Sequence, residues 1–116
     1  MSTNMAPHPG IPLAQALGQE DEFKFVYPQF PEGLPHAPRA YLAMYIFAGE
    51  YYVLDVGRAD DVRQTILEHP HWGCWESIAR TFGTLSFAIE QAPMSADMQE
   101  QLAQRVRARC GQLPCD

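Results

Sequence analysis

The stretch that decides the fold is YLAMYIFAGEYYVLDVGRADDVRQTILEH, Tyr41 to His69. Its first part alternates, with Leu42, Met44 and Ile46 on one side of an extended chain and Tyr41, Ala43, Tyr45 and Phe47 on the other. Ala48-Gly49-Glu50 supplies a tight turn, since glycine accepts the backbone angles a hairpin demands. A second strand is expected from Tyr51 to Val56, with Tyr52, Leu54 and Val56 facing one way, Tyr51, Val53 and Asp55 the other, and Gly57 as its stop. Helical spacing then takes over. Asp60 or Asp61 caps a helix that carries Val62, Ile66 and His69 on one side and stops at Pro70.

Downstream, a second helix is expected over Trp75 to Phe82, ended by Gly83. A third strand follows, with Leu85, Phe87 and Ile89 inward and Ser86, Ala88 and Glu90 outward. Ser95 caps a final helix whose Met98, Leu102, Val106 and Cys110 form one stripe, closed by Gly111 and Pro114. Residues 40–116 therefore read as an α+β domain of order β-β-α-α-β-α, a small three-stranded antiparallel sheet flanked by three helices. Upstream, seven of the ten prolines fall within residues 1–39, which read as an extended Pro-rich arm, partly disordered over 1–20. Within it Phe23, Phe25 and Tyr27 alternate as a short edge strand would, to lie on the core or to dock a partner.

At 116 residues the chain has room for one domain, and 47 % apolar with 19 % charged residues is an ordinary globular composition. Such a core is expected to fold without metal or disulfides. Fourteen acidic against eight basic side chains give a net charge of -6, a field that repels polyanions and argues for protein over DNA as the partner. Arg105, Arg107 and Arg109 read as a solvated helix end, because alternate positions on a helix point in different directions. Cys74, Cys110 and Cys115 are odd in number and without paired spacing, which fits a reducing compartment. With no leader and no apolar run of membrane-spanning length, the expected location is cytoplasmic, with no membrane partner.

Hairpin, glycine, helix, helix, strand and helix, with an acid-capped first helix closing in histidine, resemble the GIY-YIG nuclease family from about residue 40 onward. That resemblance places the family's two strand motifs at Ala43-Met44-Tyr45 and Asp55-Val56-Gly57, and implies phosphodiester cleavage with a divalent metal. Tyr45 and Gly57 match. Asp55 stands where the second tyrosine belongs, Thr65 where the arginine belongs, and Gln99, with Glu100 beside it, where the metal-holding carboxylate belongs. His69 matches a histidine that can relay protons, although a lone histidine on a helix more often simply packs. Arg58, beside the glycine, is the candidate to replace the lost arginine, whereas Arg63 lies about 200° around the helix from that position.

With those groups exchanged, the expectation is a catalytically impaired GIY-YIG-like domain that works as a binding or interaction module and needs no cofactor. The alternative is a structure-selective DNA endonuclease that uses magnesium and has recruited Arg58 and Glu100. Three further features bear on binding. Trp72 and Trp75, with His71 and Arg80, offer a surface for stacking bases, or else core. His69, His71 and Cys74 offer a weak zinc set that matches no standard finger. The Phe23 to Tyr27 edge offers a route to a dimer.

Overall fold

The structure is a computed structural model and describes residues 8–116. Five antiparallel strands form one sheet in the order β1-β4-β3-β5-β2. Chain order is β1 (Ile11–Pro12), α1 (Leu13–Leu17), β2 (Phe25–Gln29), a single 3-10 turn (Pro31–Gly33), β3 (Arg39–Phe47), β4 (Glu50–Ala59), α2 (Val62–Leu67), α3 (Trp72–Phe82), β5 (Thr84–Glu90) and α4 (Ala96–Cys110). The expected β-β-α-α-β-α order is present from β3 onward, and the α+β class holds. The three-stranded sheet does not: β4, β3 and β5 are its centre, and two more strands cover the outer edges.

Those extra strands come from the proline-rich segment, which is part of the fold and not an arm. Proline excludes a long helix but is tolerated on edge strands, where its missing N–H is not needed by a neighbour. Pro12 pairs with Tyr52 on the outside of β4, and Phe25 pairs with Glu90 on the outside of β5. Of the segment expected to be partly disordered, residues 8–20 include β1 and α1, while residues 1–7 lie outside the described residues. Of the three alternating aromatics, Phe25 is buried and Tyr27 half-buried, but Phe23 precedes the strand and is exposed.

The segment is tied down by charge. Asp21, fully buried, accepts from Lys24 Nζ at 2.7 Å, Arg105 Nη2 at 2.8 Å and Arg109 Nη1 at 2.7 Å. Two of the three arginines expected to be solvated thus lock α4 to the α1–β2 loop. A buried carboxylate requires such partners, and no helix periodicity reveals them.

The sheet has a core on each face. Leu42, Met44, Val53, Val56 and Ala88 meet α1 and α4 on one side. Tyr41, Ala43, Tyr45, Leu54 and Phe87 meet α2 and α3 on the other. Ser86, Ala88 and Glu90, expected to face solvent, are therefore buried under α4. On α4 the inward stripe is Gln99, Leu102, Ala103, Val106 and Cys110, and Met98 is exposed.

Two local features shape the β3–β4 hairpin. Ala48 (φ 51°) and Gly49 (φ 78°) form its two-residue turn, both in the left-handed region. The register then shifts: Met44 pairs with Val53, but Ala43 pairs with Asp55, so Leu54 is an extra residue in β4. Such a bulge changes which face the following side chains take. Asp55, expected on the face of Tyr51 and Val53, instead turns toward α3.

Cys74 and Cys115 form a disulfide with Cα atoms 5.9 Å apart, and Cys110 is a buried free thiol. The expectation of a fold without disulfides is corrected here. The partners lie 41 residues apart and meet only because the tail after α4 folds back to α3, which sequence spacing does not encode.

Candidate functional site

Asp55 is the centre of the site. It sits mid-strand at 3 % exposure, and an ionised carboxylate so placed must find partners. Its Oδ1 accepts from the Val56 N–H at 2.9 Å and from Arg107 Nη2 at 3.0 Å. Its Oδ2 lies 2.8 Å from His71 Nδ1 and accepts from Trp75 Nε1 at 3.2 Å. Arg107 also donates to the Val56 carbonyl and, through Nη1, to Asp116 at 2.6 Å. The third arginine of α4 is thus engaged as fully as the other two.

The loop between α2 and α3 brings both histidines here. α2 ends at Leu67 and does not run on to Pro70, so His69 sits in the loop and not on the helix; His71 is the N-cap of α3, and its N–H donates to His69 Nδ1 at 3.0 Å. The His69 ring lies against Trp75 (centroids 4.4 Å) and meets Tyr41 edge-on at 6.3 Å. Burial pushes the His69 imidazole below its ordinary range and keeps it neutral. Tyr41 is pushed up to about 12, by burial first and by the Asp55 charge second, so its phenol stays protonated. A Cβ at position 57 would come 2.6 Å from Tyr41 Oη, so Gly57 makes room for this tyrosine.

Tyr41, and not Tyr45, is therefore the phenol beside Asp55. Tyr45 lies farther along the hairpin, buried, with its hydroxyl 2.8 Å from His8 Nδ1 and its ring stacked on Tyr52. A cleft opens next to Tyr41 along α2, lined also by Arg58, Asp61, Gln64, Thr65, Glu68, His69 and Pro70. Asp61 caps α2 through a bond from the Gln64 N–H at 3.0 Å. Arg58 donates through Nε to Gln99 Oε1 at 2.9 Å and pairs through Nη2 with Asp60 at 2.6 Å. Gln99 is buried, with Nε2 donating to the Pro38 carbonyl at 3.1 Å, whereas Glu100 is exposed.

The remaining expected site residues separate. Arg63 is half-exposed on α2 and makes no side-chain ion pair among the described residues. Trp75 is fully buried and Trp72 packs on Phe87 at 6.0 Å, so the tryptophans are core and not a base-stacking surface. The expected metal set loses Cys74, which is disulfide-bonded and offers no thiolate. Its place among His69 and His71 is taken by Asp55.

The arrangement missed from sequence is the one built on tertiary contacts, which gathers Tyr41, His71 and Arg107 around Asp55. One signal was present, an aspartate inside an apolar strand. No protein-family model matches the chain, and no curated protein or solved structure matches it either.

Proposed function

We propose that this chain is a GIY-YIG-like scaffold that no longer cleaves phosphodiesters and serves as a binding module for a protein with a cationic surface. Arg58 carries the reading. It is the cation that lines the cleft, and its guanidinium is engaged by Gln99 and Asp60. A phosphate entering there would meet Asp61 and Glu68 instead.

At the place where the resemblance implies a metal-holding carboxylate, Gln99 offers a buried amide already bonded on both ends. A neutral amide holds magnesium poorly. Loss of one electrostatic stabiliser lowers a rate by roughly 10²- to 10³-fold, and here the arginine, the second tyrosine and the carboxylate are all exchanged. Glu100, which the nuclease alternative requires, is exposed on α4. The acidic lining instead suits lysine or arginine side chains.

Purified protein with magnesium or manganese is expected to leave nicked, branched and plasmid DNA intact. An arginine-rich peptide should bind with an affinity that falls with salt and drops on Glu68→Lys. Metal-dependent cutting, or steeply salt-dependent DNA binding with no peptide binding, overturns the proposal.

A further inference from the structure

Asp55, His69 and His71 form a set with its own chemistry, although Asp55 stands at one of the exchanged nuclease positions and His69 at the position of the family's histidine. One donor atom from each lies within 4.8 Å of the other two. Two are already in contact, since Asp55 Oδ2 and His71 Nδ1 are 2.8 Å apart. A tetrahedral ion held at about 2.0 to 2.2 Å spans donors about 3.3 Å apart. Closure therefore needs Asp55 and His71 to part by roughly half an ångström and His69 to move by at most about 1.5 Å.

We propose that Asp55, His69 and His71 bind a single borderline divalent transition-metal ion, of which zinc and cobalt are the reference members. Two imidazoles and one carboxylate supply three ligands, and the cleft beside Tyr41 gives access to the rest. As the ion arrives, the proton shared between Asp55 and His71 Nδ1 leaves for Nε2 or for solvent. When His69 coordinates through Nδ1, it exchanges the bond from the His71 N–H for the ion.

The set is held in advance. The His69 N–H donates to the Ile66 carbonyl at 3.2 Å, the His69 carbonyl accepts from the Trp72 N–H at 3.0 Å, and the His71 carbonyl accepts from the Trp75 N–H at 2.9 Å. Behind the ligands, Val56 N–H and Arg107 fix Asp55 Oδ1 and so orient Oδ2, as outer-shell partners of metal carboxylates do. Charge also permits it. Asp55 and Asp116 share the one guanidinium of Arg107, which leaves a negative balance for a cation to offset. The ligand types select the metal, because magnesium and calcium prefer all-oxygen shells whereas imidazole suits zinc, cobalt and nickel.

This inference does not rest on the loss of nuclease activity or on a protein partner, and its test uses neither DNA nor peptide. Zinc titrated calorimetrically into the full chain at pH 7.5, in a non-chelating buffer, should bind at a ratio of one and raise the melting temperature, while magnesium does neither. Cobalt should produce the visible absorption of a four- or five-coordinate site. His69→Gln and His71→Gln should each weaken zinc by at least about tenfold, the lower end of what loss of even an outer-shell partner brings. His36→Gln, on the exposed pair with Asp61, should change nothing. In the wild type, imidazole nitrogen resonances of His69 and His71 should move on adding zinc while those of His36 stay, a readout that needs no variant to fold. Absence of stoichiometric zinc binding, or perturbation confined to other histidines, overturns the assignment.

Discussion

Arg107 Nη2 lies 3.0 Å from Asp55 Oδ1 although the helix that carries it packs against the opposite face of the sheet. The guanidinium passes the outer edge of β4, beyond the two residues that β1 covers, and binds the Val56 carbonyl on the way. Arg107→Met would leave the Asp55 carboxylate buried without its cation. Removing one partner of a buried pair costs about 3 to 5 kcal/mol, and partial solvation of Arg107 lowers the expectation to about 2 to 3 kcal/mol. Urea unfolding at pH 7 measures it, and a loss below about 0.5 kcal/mol would contradict the role.

Asp21 predicts how stability depends on acid. Burial alone would push its carboxyl up, but hydrogen bonds from Arg105, Lys24 and Arg109 outweigh burial and hold it well below the usual carboxylate range. A depressed folded value means that the unfolded chain takes up the proton first. Stability from this group is therefore complete above roughly pH 5 and is lost as pH falls through and below about 3.9. Asp21→Asn should lower stability by about 2 to 3 kcal/mol at pH 7 and make the wild-type and variant curves converge toward pH 2. A difference between them that does not vary with pH would refute the ion cluster.

The hairpin turn carries an alanine where its backbone favours asparagine or glycine. Ala48 sits at φ 51°, and two-residue turns of this kind prefer Asn-Gly. Ala48→Asn, which creates that pair with Gly49, should raise stability by about 0.5 to 1 kcal/mol, read as a higher urea midpoint with an unchanged slope.

The Cys74–Cys115 link closes a loop of 41 residues in sequence separation. In the chain-entropy account a loop of this size gives about 4 kcal/mol, so Cys115→Ser should lower the melting temperature by well over 10 °C. The same variant should leave Cys110 unreactive in the folded state. Burial pushes that thiol up to about 11, which disfavours the reactive thiolate. Unfolding in denaturant with and without reductant, alongside thiol labelling, checks both statements.

From β3 onward the fold was legible because local signals agreed: alternation in β3, Asp61 at the start of α2, and Ser95 and Gly111 at the ends of α4. Even the inward turn of Gln99, against the polarity of its side chain, fits helix geometry, since it lies three and seven residues before the buried Leu102 and Val106. What was not legible depends on distant partners. Pro12 and Phe25 become edge strands because β4 and β5 have free edges for them, and Cys115 meets Cys74 only once the tail has folded back. The site failed at one residue. Strict alternation assigned Asp55 to the wrong face, because it does not anticipate the extra Leu54, whereas it placed Tyr45 correctly beside Ala43 and only the motif resemblance put Tyr45 at the site.

That extra residue makes the two halves of the hairpin unequal in their tolerance of length change. Loss of codon 54 would leave Asp55 opposite Ala43, keeping the acid among the histidines while forfeiting a buried leucine. Loss of codon 56 would instead put strand and partner out of step beyond that point. Related genes that preserve this centre are therefore expected to vary in length at one point of the hairpin, and comparisons that forbid a gap there will overlook them.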